Sequence, residues 1–92
     1  MPVTHDPARH GFFAPTPAGE AELVYHMRSR DGAMDLLHTF VPEGARGGTL
    51  ASDLVETAIA HARDHRLKLV ATCPYVQRWL TRHPEVEGMF VK

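Results

Sequence analysis

The sequence holds a single cysteine, Cys73, so no disulfide can form within the chain. A lone thiol suits a reducing compartment. No apolar run approaches the ~18 residues that a membrane-crossing helix needs. The opening Met1-Pro2-Val3-Thr4-His5-Asp6 lacks the basic-then-apolar pattern of a secretory leader, so a cytoplasmic location is expected. Charge of one sign is also missing: 10 Lys and Arg stand against 11 Asp and Glu, and the basic residues are scattered. Nucleic-acid binding needs them gathered on one face and is not expected. No repeat or low-complexity tract is visible.

What is present fits one small domain. The 92 residues are 43% hydrophobic, ordinary for a soluble globular chain. Residues 1–10 are polar, contain two prolines and read as a flexible or extended lead-in, with the domain over 11–92. The seven histidines include His61 and His65, four apart on an expected helix. No Cys, Asp or Glu cluster supplies a third ligand at a telling spacing, so no metal site is expected and these are read as exposed histidines.

Phe12-Phe13-Ala14 is a short first strand, followed by a turn over Pro15–Gly19. Residues 21–28 alternate, with Ala21, Leu23, Tyr25 and Met27 on one face. Asp31-Gly32 marks a hairpin turn. Residues 33–41 resume the alternation with Met34, Leu36, His38 and Phe40 on one side, until Pro42 ends the strand. Residues 49–65 carry a helical stripe of Leu50, Ala51, Leu54, Val55, Ala58, Ile59 and Ala62. Residues 67–71 form a strand. Pro74 opens a second helix over 75–82, with Val76, Trp79 and Leu80 inward. Residues 86–91 form a tail that packs back on the sheet. The class is α+β: a mixed sheet of about four strands, antiparallel in its N-terminal half, with a parallel pair joined by a crossover helix, and two helices.

Ligands of such folds bind outside the carboxyl ends of the parallel strands, here Thr39–Pro42 and Ala71–Cys73. The strand-to-helix connection there carries Gly44, Gly47 and Gly48. Glycines let the backbone turn sharply and approach a ligand closely. The first helical turn leaves N–H groups unpaired at the positive end of the dipole, a ready anion site, and Arg46 adds a cation with a planar donor fork. A pyrophosphate is the natural guest. A glycine-rich turn that simply starts a helix is the plain alternative.

Thr39-Phe40-Val41-Pro42 followed by Arg46-Gly47-Gly48-Thr49-Leu50-Ala51 and an amphipathic helix resembles motif A of the GNAT N-acetyltransferases. His38-Thr39, Ala62-Arg63, Leu67-Lys68, Cys73-Pro74-Tyr75-Val76 and Arg82-His83-Pro84 narrow the resemblance to very small GNAT-like proteins, over residues 10–92. The resemblance implies a minimal GNAT fold that holds acetyl-CoA (coenzyme A) through Thr39, Phe40, Val41, Arg46, Gly47, Gly48, Thr49, Leu50, Ala51 and Cys73. It implies transfer of an acetyl group to an unidentified amine, peptide or protein, by a monomer or homodimer. A non-catalytic acyl-CoA-binding or protein-interaction module is the alternative. Two positions depart from the family pattern: Thr49 replaces the motif's central glycine, and Phe40 stands where an acidic residue is common.

Acetyl transfer requires a base for the amine, stabilisation of the carbonyl oxygen and a proton for the leaving thiolate. The resemblance assigns the second to a backbone N–H near Phe40 or Val41, where the parallel strands splay. The family's tyrosine acid would fall on Leu80, which has no proton to give, so Tyr75, one turn earlier, is the candidate. Cys73, at a strand end and a helix start, could carry the acetyl group covalently or be an inert core thiol. His38 is a candidate base or a satisfied sheet histidine.

Overall fold

The computed structural model describes residues 3–91; Met1, Pro2 and Lys92, which belong to the expected lead-in and to the end of the expected domain, lie outside the described residues. Five strands form one sheet in sequential order: β1 (Thr4–Asp6), β2 (Gly11–Thr16), β3 (Gly19–Met27), β4 (Met34–Phe40) and β5 (Leu69–Ala71). The first three pairings are antiparallel and β4–β5 is parallel. Helix α1 (Leu50–Asp64) makes the crossover between β4 and β5, and α2 (Pro74–Thr81) follows β5.

Within the expected lead-in, residues 4–6 form an extended strand. Thr4, His5 and Asp6 pair with Phe13, Phe12 and Gly11, adding a fifth strand to the expected four. The Asp6 carboxylate then caps a 3₁₀ turn over Pro7–Arg9 by accepting from the Ala8 N–H at 3.2 Å. At the other end, Val91 N–H donates to Leu69 O at 2.7 Å and Phe90 bridges Leu69, so the tail does return to the sheet.

The core lies on one face of this sheet. Phe12, Ala14, Ala21, Leu23, Tyr25, Met34, Leu36 and Leu69 meet the α1 stripe of Leu50, Leu54, Val55, Ala58, Ile59 and Ala62. Burying each large aliphatic side chain contributes about 1.5–3 kcal/mol. Val76 and Trp79 bring α2 into the same cluster, and the Trp79 indole N–H donates to Ser52 Oγ of α1 at 2.9 Å. The opposite face carries Glu22, Val24, His26, Leu37, His38 and Phe40, none of them buried.

Strand β4 breaks the expected alternation. Leu36 pairs with Tyr25 and His38 with Val24, leaving Leu37 as an extra residue, a bulge that reverses the phase. Met34 and Leu36 stay in the core. Thr39, opposite Leu23, takes over the core-facing phase, while His38 and Phe40 turn to the open face. The four residues expected on one side are thus divided two and two.

Candidate functional site

The β4–β5 ladder is short. It runs only from Met34–Leu69 to Leu36–Ala71, and Cys73 N–H adds a last rung to Leu36 O at 2.8 Å. Strand β4 continues to Phe40, but β5 has ended. The gap opens into a cleft of about 410 Å³ between the end of β4, the start of α1 and the first turns of α2.

Nine of the residues selected from the sequence line it: Thr39, Phe40, Val41, Arg46, Gly47, Gly48, Leu50, Ala51 and Tyr75. Ala45 and Arg78 line it as well, and neither was selected. Arg78 stands one helical turn after Tyr75, so its position on the same face follows from i,i+3 spacing. Thr49, Cys73 and His38 do not line the cleft.

A 3₁₀ turn over Glu43–Ala45 carries the chain from Pro42 into the loop. Gly47 has φ 95°, the left-handed region that glycine occupies without steric cost. The Arg46 Nε–H donates to Val41 O at 2.8 Å, tying the loop to the end of β4, and its guanidinium carbon lies 6.0 Å from the centre of the Phe40 ring. The first hydrogen bond of α1 is Asp53 N–H to Thr49 O at 2.8 Å. Among the described residues, the N–H groups of Gly47 through Ser52 donate to no protein acceptor. Thr49 does not cap the helix through its side chain; its hydroxyl donates to Asp53 Oδ2 at 3.1 Å. The hydroxyl of Thr49 is thus directed along the helix, and only its backbone N–H remains uncommitted.

The remaining candidates fare differently. Tyr75 is half-buried on the cleft wall. Burial pushes its phenol above the ordinary value, against the downward pull of Arg82 and Arg78. Cys73 is 3% exposed, its Sγ lying 3.5 Å from Thr39 Oγ1 behind the cleft wall. Leu80, the position the family pattern assigned to tyrosine, lines a separate hollow with Gln77, Thr81, Pro84 and Glu87. His38 is exposed on the open sheet face, with Nε2 2.9 Å from Glu22 Oε2. Away from the cleft, His61 is half-buried, not a plain surface histidine. Its ring centre lies 4.3 Å from that of His5 and 4.1 Å from that of His65.

Comparison with known proteins places the chain and its fold among relatives. The chain is 32% identical over 84 residues to protein NATD1 of Danio rerio, covering 89% of this chain and 76% of that one. To protein NATD1 of Homo sapiens it is 35% identical over 51 residues, 55% of this chain and 45% of that relative's length. The chain thus spans about half of some relatives and three quarters of another. A GCN5-like protein from Staphylococcus aureus, solved by NMR, superposes with a TM-score of 0.69 over 98% of this chain and 87% of its own, at 20% identity, which speaks to fold alone. The sequence pattern of the GCN5-related N-acetyl-transferases matches residues 12–89, from within β2 through the turn after α2, and the chain belongs to that family.

Proposed function

We propose that this protein binds acetyl-CoA in the β4–β5 cleft and passes the acetyl group to an amine. The observation that carries the reading is the row of uncommitted N–H groups from Gly47 to Ser52, set at the positive end of α1 beside a cleft with Arg46 on its loop and Arg78 on its far wall. Those groups would hold the diphosphate. When bound, the coenzyme supplies an acetyl thioester, a carbonyl already activated toward nitrogen. Thr39, Phe40 and Val41 line the wall along which the thioester arm would run. Tyr75, half-buried on the cleft wall, would give its proton to the departing sulfur.

Isothermal titration with acetyl-CoA tests the reading. Each hydrogen bond to a charged group contributes about 1.5–3 kcal/mol, so Arg46→Ala and Arg78→Ala are each expected to weaken binding by about 10- to 100-fold. Gly47→Asp, which puts a carboxylate beside the phosphates and a Cβ on a left-handed residue, is expected to abolish it. A parent protein without affinity, or variants that bind as well as the parent, would overturn the assignment.

One observation favours a second reading, a module that holds acyl-CoA without turning it over. Cys73 is walled off from the cleft and Leu80 faces another hollow, so the proton for the sulfur depends on Tyr75 alone. Release of free CoA that requires added amine supports the enzyme. Stable binding without release across a range of amines supports the module.

A further inference from the structure

Three glycines lie between β4 and α1, and one of them takes no part in the cleft. Gly44 does not line it, and its backbone is outside the left-handed region that Gly47 occupies. What Gly44 lacks is room for a side chain. A Cβ there would stand 2.9 Å from the Ala18 Cβ, closer than two carbon atoms pack. Ala18 sits at the tip of the β2–β3 hairpin, in the turn between Thr16 and Gly19. That tip is stiff. Pro17 fixes its own φ, and the Thr16 hydroxyl donates to Gly19 O at 2.6 Å while accepting from Ala18 N–H at 3.1 Å. The loop beyond Gly44, by contrast, has space on either side. Ala45 and Gly48 line the cleft on one side and, on the other, a hollow of about 520 Å³ against residues 15–17.

Resting on the reading of this loop as the diphosphate site, we propose that Ala18 is its positioning residue. The methyl at the hairpin tip sets where the N–H groups of Gly47 through Ser52 stand, and position 44 is glycine to admit it. A side chain at 44 has to displace either the hairpin tip or the loop. The tip is tied by the Thr16 hydroxyl and by the β2–β3 ladder, whereas the loop can move into the cleft or into the hollow behind it. The loop therefore yields. An N–H donor holds an oxygen well only within about 2.7–3.2 Å, so a displacement of about half an ångström is felt along the whole row.

Amide ¹H–¹⁵N spectra and titration calorimetry test this. Without ligand, Gly44→Ala is expected to move the signals of Gly47 through Ser52. The exchanged pair, Gly44→Ala with Ala18→Gly, is expected to return them toward the parent positions. With acetyl-CoA as the probe, the overpacked Gly44→Ala is expected to bind about 10-fold more weakly, and the exchanged pair to recover most of that loss. Ala18→Gly alone, which withdraws the methyl, is expected to weaken binding less. Ile59→Val, a core change farther along α1, is expected to lower Tm with binding unchanged, which separates loop position from stability. Unmoved signals in Gly44→Ala, binding by that variant as tight as the parent's, an exchanged pair no better than Gly44→Ala, or affinities that simply follow Tm would overturn the assignment. A parent that does not bind acetyl-CoA would instead overturn the diphosphate reading, and the amide signals would still decide whether Ala18 places the loop.

Discussion

Gly47 and Gly48 are neighbours with different obligations. A Cβ on either would meet no atom within 4 Å, so space is not what distinguishes them. Gly47 alone has positive φ, and an L-residue there costs about 1–2 kcal/mol. Gly47→Ala is therefore expected to lower stability by about that amount and Gly48→Ala by less than about 0.5 kcal/mol, as read from urea midpoints. Equal effects would mean that the loop takes another shape in solution. At this scale the sequence was most readable where residue type decides backbone freedom: Gly47 takes the positive φ that glycine permits. It was least readable where a side chain had two partners to choose from. The Thr49 hydroxyl turned to Asp53, which waits four residues on, and Cys73 turned to Thr39 behind the cleft, a contact set by the parting of distant strands.

Strand β1 is held to α1 chiefly by aromatic contacts. His5 stacks on Phe12 at 4.5 Å between ring centres, meets His61, and has Nε2 2.6 Å from the Tyr25 hydroxyl. Burial lowers the affinity of His5 for a proton, and His65 lowers it further, against a smaller upward pull from Asp6. Burial does the same to His61, reinforced by His5 and His65 and opposed by Asp64. Both groups sit below their ordinary 6.5 in the folded state, so the unfolded chain takes up protons first as pH falls. The contribution of this cluster is complete above 6.5 and is lost as pH drops through and below that value. Protonated His5 can only donate to the Tyr25 oxygen. Thermal midpoints measured between pH 7.5 and 5 are expected to fall, and His61→Phe to flatten that fall; an unchanged slope would remove the cluster from the account. The periodicity of 49–65 carried α1 plainly because its apolar stripe is long. Thr4-His5-Asp6 gave no such signal, since a three-residue edge strand is polar and its partners lie far along the chain. The bulge at Leu37 was equally silent, because one inserted residue leaves composition unchanged while inverting every later side chain.

The whole molecule is one sheet with both helices on a single face, and no helix among the described residues is long and apolar enough to cross a membrane. So small a body depends on its margins. Removing residues 1–10 strips β1 from β2, uncovers Phe12 and takes the Arg9 guanidinium from above the Phe13 ring, where it lies 3.8 Å from the centroid. Loss of that much apolar cover is expected to cost about 3 kcal/mol, a fall of roughly 10–20 °C in Tm by calorimetry. A truncated chain as stable as the parent would show β1 to be ornamental. Strand order and class were readable because local hairpins and one crossover generate them; the depth of the cleft was not, because it depends on where β5 stops. That early stop has a consequence of its own. It leaves the rim of β4 from Leu37 to Phe40 as an unfinished seam, wetted by solvent. A visitor that settles there completes the weave on one side of the fabric only, and the bare reverse stays within reach of whatever arrives next.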